Sequence, residues 1–91
     1  MKVGKHLQIV GLVQGVYYRE SFRQRAEALN VSGWVRNRLD GSVEAMIHGE
    51  ENEVALLIEW AQRGPEQANV ERIDISDSAE TFIHFEKRPT I

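Results

Sequence analysis

A chain of 91 residues with 42% apolar and 27% charged side chains is expected to form one domain, residues 1–91, with a single modest core and no room for a second. Lacking cysteine, it has no disulfide, no thiolate metal site and no cysteine nucleophile, and its three histidines (His6, His48, His84) stand too far apart for a ligand-spaced pair, so no metal site is expected. The net charge of −3 divides unevenly: residues 1–38 carry seven basic and two acidic side chains (+5), residues 39–91 four basic and twelve acidic (−8), a local positive field that suits a small anion better than a nucleic acid.

Residues 6–13 (HLQIVGLV) are rich in β-branched side chains and short enough for a strand. Tyr18, Phe22, Ala26 and Leu29 then recur at helical spacing and make one apolar stripe. Residues 32–37 (SGWVRN) predict a second strand, and Asp40-Gly41 a turn. Residues 41–48 (GSVEAMIH) alternate, with Val43, Ala45 and Ile47 on one face and Ser42, Glu44 and His48 on the other, as in a half-buried strand closing a hairpin. A second helix is predicted over about residues 50–63. Asn52 is its candidate cap, Glu50, Glu51 and Glu53 load its start, Arg63 closes its end and Gly64-Pro65 stop it; Val54, Leu57, Ile58 and Ala61 form its core face. Two further strands, near residues 70–76 and 81–86, are expected to be linked by a short turn at Asp77 and Ser78.

The order β-α-β-β-α-β plus one short strand is the split pattern of the ferredoxin-like α+β fold, with two helices on one face of a mainly antiparallel sheet. A right-handed crossover makes the second strand parallel to the first, and the hairpin returns the third between them. The C-terminal ends of strands one and two then share one edge, about 10 Å apart, which brings the loop after Val13 opposite Asn37. No apolar run nears the ~18 residues of a membrane span, and residues 1–11 lack the layout of a secretory signal, so a cytoplasmic monomer with no membrane partner is expected.

The loop between the first strand and first helix reads VQGVYYR, residues 13–19, and places Arg19 where a helix is already positive. Gly11 and Gly15 allow close backbone approach, although neither G-x-x-x-x-G-K-[ST] nor G-x-G-x-x-G is present. If the helix starts near Tyr18, no Ser, Thr, Asp or Asn precedes it, and its first N–H groups stay open to an outside anion that would also neutralise Arg19. Ser21 and Gln24 fit an S-x-x-Q capping box, which would start the helix at Ser21 and leave Arg19 in a solvated loop. Spacing alone does not separate the two readings.

GLVQGVYYR (residues 11–19) followed by GWVRNRLDGSVE (residues 33–44) resembles the two signature segments of the acylphosphatase family, and the likeness continues through IEWAQRGPEQANVERI (residues 58–73) to span about residues 6–85. The resemblance implies a ferredoxin-like α/β sandwich that hydrolyses acyl phosphates to a carboxylate and inorganic phosphate without metal or cofactor. It also implies that the backbone of Gln14, Gly15, Val16, Tyr17 and Tyr18 cradles the phosphate, that Arg19 clamps it, and that Asn37 positions the attacking water. Where family members commonly read F-E-I-R-P, this chain has FEKRP, residues 85–89, with Lys87 at an often apolar position.

Arg23 and Arg25 are read as a solvated helix face, Arg36 and Arg38 as contributors of field at most, Trp34 and Trp60 as packing residues, and the histidines as solvated strand residues. A ferredoxin-like RNA binder fits poorly, because the aromatic RNP1 pattern is absent and the charge is negative. A regulatory domain that only binds a phosphorylated metabolite would have no need of Asn37, and a relative with lost catalysis would not keep both Arg19 and Asn37.

Overall fold

The computed structural model describes residues 1–91 as strand β1 (Lys2–Leu12), helix α1 (Tyr18–Ala28), strands β2 (Ser32–Asn37) and β3 (Val43–Glu50), helix α2 (Glu51–Ala61), and strands β4 (Asn69–Asp77) and β5 (Phe85–Lys87). The strands form one sheet in the order β4-β1-β3-β2-β5. β3 is antiparallel to both β1 and β2, and its residue Val43 pairs with Ile9 on one side and Asn37 on the other. β1 and β2 are therefore parallel and finish at the same edge, as the split topology requires. β4 adds antiparallel to β1, and β5 adds parallel to β2 from Gly33↔Phe85.

Strand alternation sends Leu7, Ile9, Val35, Val43, Ala45 and Ile47 to the face that both helices cover, and all six are fully buried. Tyr18, Phe22 and Ala26 form the stripe of α1, and Val54, Leu57 and Ala61 that of α2. The Phe22 ring lies 5.8 Å from Phe85 and 6.0 Å from Trp60, so it joins the edge strand to the second helix; burying a side chain of this size is worth about 1.5–3 kcal/mol. On the opposite face Glu44 gathers His6 (2.6 Å), Arg36 (2.8 Å) and Arg38 (3.2 Å). No helix is long and apolar enough to cross a membrane.

Five details depart from expectation, the first being that α2 ends at Ala61 and leaves Arg63 past its last turn. β1 begins at Lys2, four residues early, because β3 runs on to Glu50 and supplies partners for Lys2 to Lys5. Asn52 does not cap α2: β3 passes directly into the helix, which makes Glu50 the flanking residue, and the Glu51 N–H is bound by the Met1 carbonyl oxygen at 3.0 Å. Ser42 is buried in the turn before β3, where its hydroxyl donates to Asp40 Oδ1 at 2.6 Å. β5 is only three residues long and a longer connection precedes it, since β2, its one neighbour, starts at Ser32 and its first bond to this segment is Gly33 N–H to the His84 oxygen at 3.0 Å. Residues 81–83 make no backbone hydrogen bond to a strand.

Candidate active site

β1 ends in a bulge. Its register against β4 slips between Val10 and Gly11, and Gly11 takes φ 139° with a carbonyl so close that a Cβ there would sit 2.2 Å from the Asn69 oxygen. The bulge bends the strand end and aims the following loop along the sheet edge. In that loop Gly15 (φ 74°) and Tyr17 (φ 67°) both adopt the left-handed conformation. Glycine does so freely, but a tyrosine pays about 1–2 kcal/mol, local strain of the kind that gathers at functional sites.

The helix that follows starts at Tyr18, not at Ser21, so the capping-box reading is set aside. Its flanking residue Tyr17 offers no side-chain cap, and the first bond of the helix runs from the Ser21 N–H to the Tyr17 oxygen at 3.1 Å. None of the loop, turn or cap hydrogen bonds of the backbone takes its donor from residues 14–20. A run of amide donors is thus left without an internal acceptor, at the positive end of a helix dipole.

These donors border a cleft of roughly 350 Å³ lined by Val13, Gly15, Tyr17, Tyr18, Arg19, Glu20, Asn37 and Lys87. Arg19 takes part in none of the side-chain ion pairs of the chain. Across the cleft Asn37 closes β2, and its carboxamide oxygen is buried without a hydrogen-bond donor. An unsatisfied buried acceptor costs about 1–3 kcal/mol, so the fold maintains this one against a penalty. The cleft therefore brings an unpaired cation, open amides and the Asn37 side chain to one place, the edge where β1 and β2 end.

Of the residues expected at the site, Gly15, Tyr17, Tyr18, Arg19 and Asn37 line the cleft together. Gln14 and Val16 do not. The Gln14 side chain instead donates to the Arg38 and Ser42 carbonyl oxygens at 2.8 and 2.9 Å, and Val16 packs against the core. Tyr18 hydroxyl donates to the Ala61 oxygen at 2.7 Å, and burial pushes its pKa well above the ordinary phenol value, which removes it as an acid or base near neutrality. Arg36 and Arg38 are spent on Glu44, and Arg36 also stacks on Trp34 at 4.7 Å. The chain's last residue lies against the β2–β3 turn, its oxygen accepting from the Leu39 N–H at 3.1 Å, with no ion pair to Arg19.

Two charged residues of the cleft, Glu20 and Lys87, are not among the expected set. Lys87 Nζ lies 2.8 Å from Glu20 Oε1, while Arg23 grips the same carboxylate from one turn further along α1. These bonds, Arg23 first and then Lys87, hold the Glu20 pKa down to about 2. The sequence signal for Lys87 was its presence at an otherwise apolar position. No group of three or more His, Asp or Glu side chains is placed to hold a metal.

Comparison with known proteins agrees with this architecture. The family described as Acylphosphatase matches residues 5–87. An acylphosphatase of Thiobacillus denitrificans is 57% identical over 83 residues, 91% of this chain and 93% of that protein. The structure of an acylphosphatase from Coxiella burnetii superposes with a TM-score of 0.92 at 38% identity, covering 96% of this chain and 93% of that one. That of the acylphosphatase from Bacillus subtilis gives 0.91 at 28% identity, covering 94% and 98%.

Proposed function

The chain belongs to the acylphosphatase family of enzymes, which hydrolyse acyl phosphates, and we propose that its reaction runs in the cleft between Gly15, Arg19 and Asn37. The observation that carries this reading is the pairing of an unpartnered Arg19 with Asn37 in one cleft, beside unclaimed backbone amides.

Phosphoryl transfer through a loose transition state asks the protein to place a nucleophile in line and to stabilise charge on the equatorial oxygens. The amides of the loop from Gln14 to Tyr18 take the phosphate oxygens, aided by the α1 dipole, and the Arg19 guanidinium donates two parallel bonds to them. The Asn37 carboxamide hydrogen-bonds the attacking water and fixes its direction. As the water oxygen bonds to phosphorus, the bond from phosphorus to the acyl oxygen breaks and its electron pair leaves with the carboxylate. The carboxamide of Asn37 has no basic group, so the proton of the water passes to a phosphate oxygen, yielding dihydrogen phosphate. No histidine lines the cleft, and His6 is engaged with Glu44 on the other face of the sheet. A carboxylate is a good leaving group and needs no strong acid.

The same reading takes residues 1–91 as one domain, working as a cytoplasmic monomer on a small acyl phosphate with inorganic phosphate as product, and with no cofactor, nucleic acid or membrane. Phosphate release from benzoyl phosphate in the presence of EDTA tests it. Turnover that persists with chelator and is competitively inhibited by inorganic phosphate is expected; no release, or release abolished by EDTA, overturns it.

A further inference from the structure

Glu20 is a carboxylate in the wall of a cleft suited to an anion, and two local preferences put it there. An acid in the first helical turn complements the dipole, and the residue follows directly on Arg19. Left free, it would compete with phosphate for the same amides and the same guanidinium. It is not free. Oε1 receives Lys87 Nζ at 2.8 Å and Arg23 Nε at 3.2 Å, and Oε2 receives the Arg23 fork and Gln24 Nε2 at 3.1 Å. None of these donors is Arg19, which makes no bond to Glu20.

Arg23 cannot neutralise Glu20 alone, since it also pairs with Glu27 at 2.7 Å. Lys87, by contrast, has Glu20 as its one ion-pair partner. Its position follows from the strand: Phe85 and Lys87 share a face of β5, Phe85 reaching the core and Lys87 the rim of the cleft, and the Arg88 N–H bond to the Val35 oxygen at 2.9 Å fixes the strand end. At that rim Glu20 is the acid that Lys87 meets.

We infer that Lys87 is a positioning residue that draws the Glu20 carboxylate to the wall of the cleft and cancels its charge, so that a phosphate can occupy the amides and Arg19 unopposed. The inference rests on the proposed use of this cleft for phosphate. A uniform penalty on phosphate, in substrate and in product alike, is the signature of such a residue, whereas a group bonded to the transition state would act on turnover.

The test is a charge-compensation series read by kinetics on benzoyl phosphate and by calorimetric binding of inorganic phosphate, with thermal unfolding as the check on folding. Lys87→Met is expected to raise KM and weaken phosphate binding by about tenfold while kcat stays within about threefold, as for an uncancelled charge a few ångströms from the ligand. Lys87→Arg keeps the ion pair and the wild-type affinity. The double variant Lys87→Met/Glu20→Gln, in which no carboxylate is left to cancel, should recover affinity to within about threefold of wild type. Unchanged affinity in Lys87→Met overturns the inference, as does a double variant as weak as the single one, which would mean that Lys87 bonds the phosphate itself. Binding separates the two readings: a wild type that binds phosphate without hydrolysis overturns the reaction and leaves the Lys87 effect measurable, and a wild type that binds none overturns both.

Discussion

The Gln14 carboxamide donates to the Arg38 carbonyl oxygen at 2.8 Å, which fastens the loop leading into α1 to the turn that follows Asn37. A second bond, to the Ser42 oxygen at 2.9 Å, makes the attachment two-pronged. The two walls of the cleft are thus joined by a side chain as well as by the sheet. Gln14→Ala leaves neither carbonyl orphaned, because Arg38 O also accepts from Gly41 and Ser42 O from Arg38. The expected stability loss is that of two neutral hydrogen bonds, about 1–3 kcal/mol. Activity should fall further than stability suggests, by tenfold or more in kcat, since small misplacements of a reacting pair are costly. Urea unfolding beside steady-state kinetics checks this, and an unchanged kcat would show that the loop holds its place without Gln14.

Arg19 and Asn37 should separate in their kinetic effects. Arg19→Ala is expected to weaken inorganic phosphate binding and to cut turnover together, by ~10²–10³ in rate for the loss of one preorganised donor. Arg19→Lys keeps the charge but loses the planar fork, so recovery is incomplete. Asn37→Ala should leave the inhibition constant of phosphate within a few-fold of wild type and reduce kcat by a similar ~10²-fold. Equal kcat in Asn37→Ala and wild type would remove the water-positioning role.

Which of these features the sequence reveals follows a physical division. The element order was legible because it rests on local periodicity: the Tyr18, Phe22 and Ala26 stripe, the Val43, Ala45 and Ile47 alternation, and the Gly64-Pro65 stop each depend on neighbours a few residues away. The meeting of the first loop with Asn37 was legible as well, because parallel strands joined by a crossover finish at one edge. The start of α1 was ambiguous, since Ser21 and Gln24 satisfy a capping box that the left-handed turn at Tyr17 overrides. The failed cap at Asn52 and the brevity of β5 depend on contacts across the chain, with Met1 and with the start of β2. Lys87 belongs to the same class: its partner lies 67 positions earlier, and no periodicity connects them.

Tyr17 offers a test of stored strain. The residue is 77% exposed, so removing its side chain forfeits little packing, while its φ of 67° is one that a side chain resists. Tyr17→Gly relieves the left-handed penalty at the cost of a freer unfolded chain, and the net change in stability is expected to stay within about 1 kcal/mol of zero. Tyr17→Val, β-branched at the same φ, should fall below the glycine variant by about 1–2 kcal/mol. Chemical denaturation of the pair measures the difference. Equal stabilities would mean that the loop relaxes out of this conformation.

Acid should destabilise the protein through carboxylates that are held ionised by their partners. Bonds from Arg23 and then Lys87 keep Glu20 near a pKa of about 2, and for Glu44 the upward push of burial is outweighed by the bonds from His6 and Arg36, so its pKa too is lowered. An unfolded glutamate titrates near ~4.3, so between that value and about 2 the unfolded chain binds more protons than the folded one. Stability from these groups is complete above the unfolded pKa and is lost as the pH falls through the folded values. The melting temperature should therefore be flat near neutrality and decline below about pH 4.5, less steeply in Glu20→Gln. Because Glu20 stands at the rim, salt should weaken the effect. Carbon-detected NMR of the Glu20 carboxyl provides the direct reading: a titration near pH 4.3 in the folded protein would show that Arg23 and Lys87 do not hold the charge, and the restraint on this carboxylate in the cleft would fall with it.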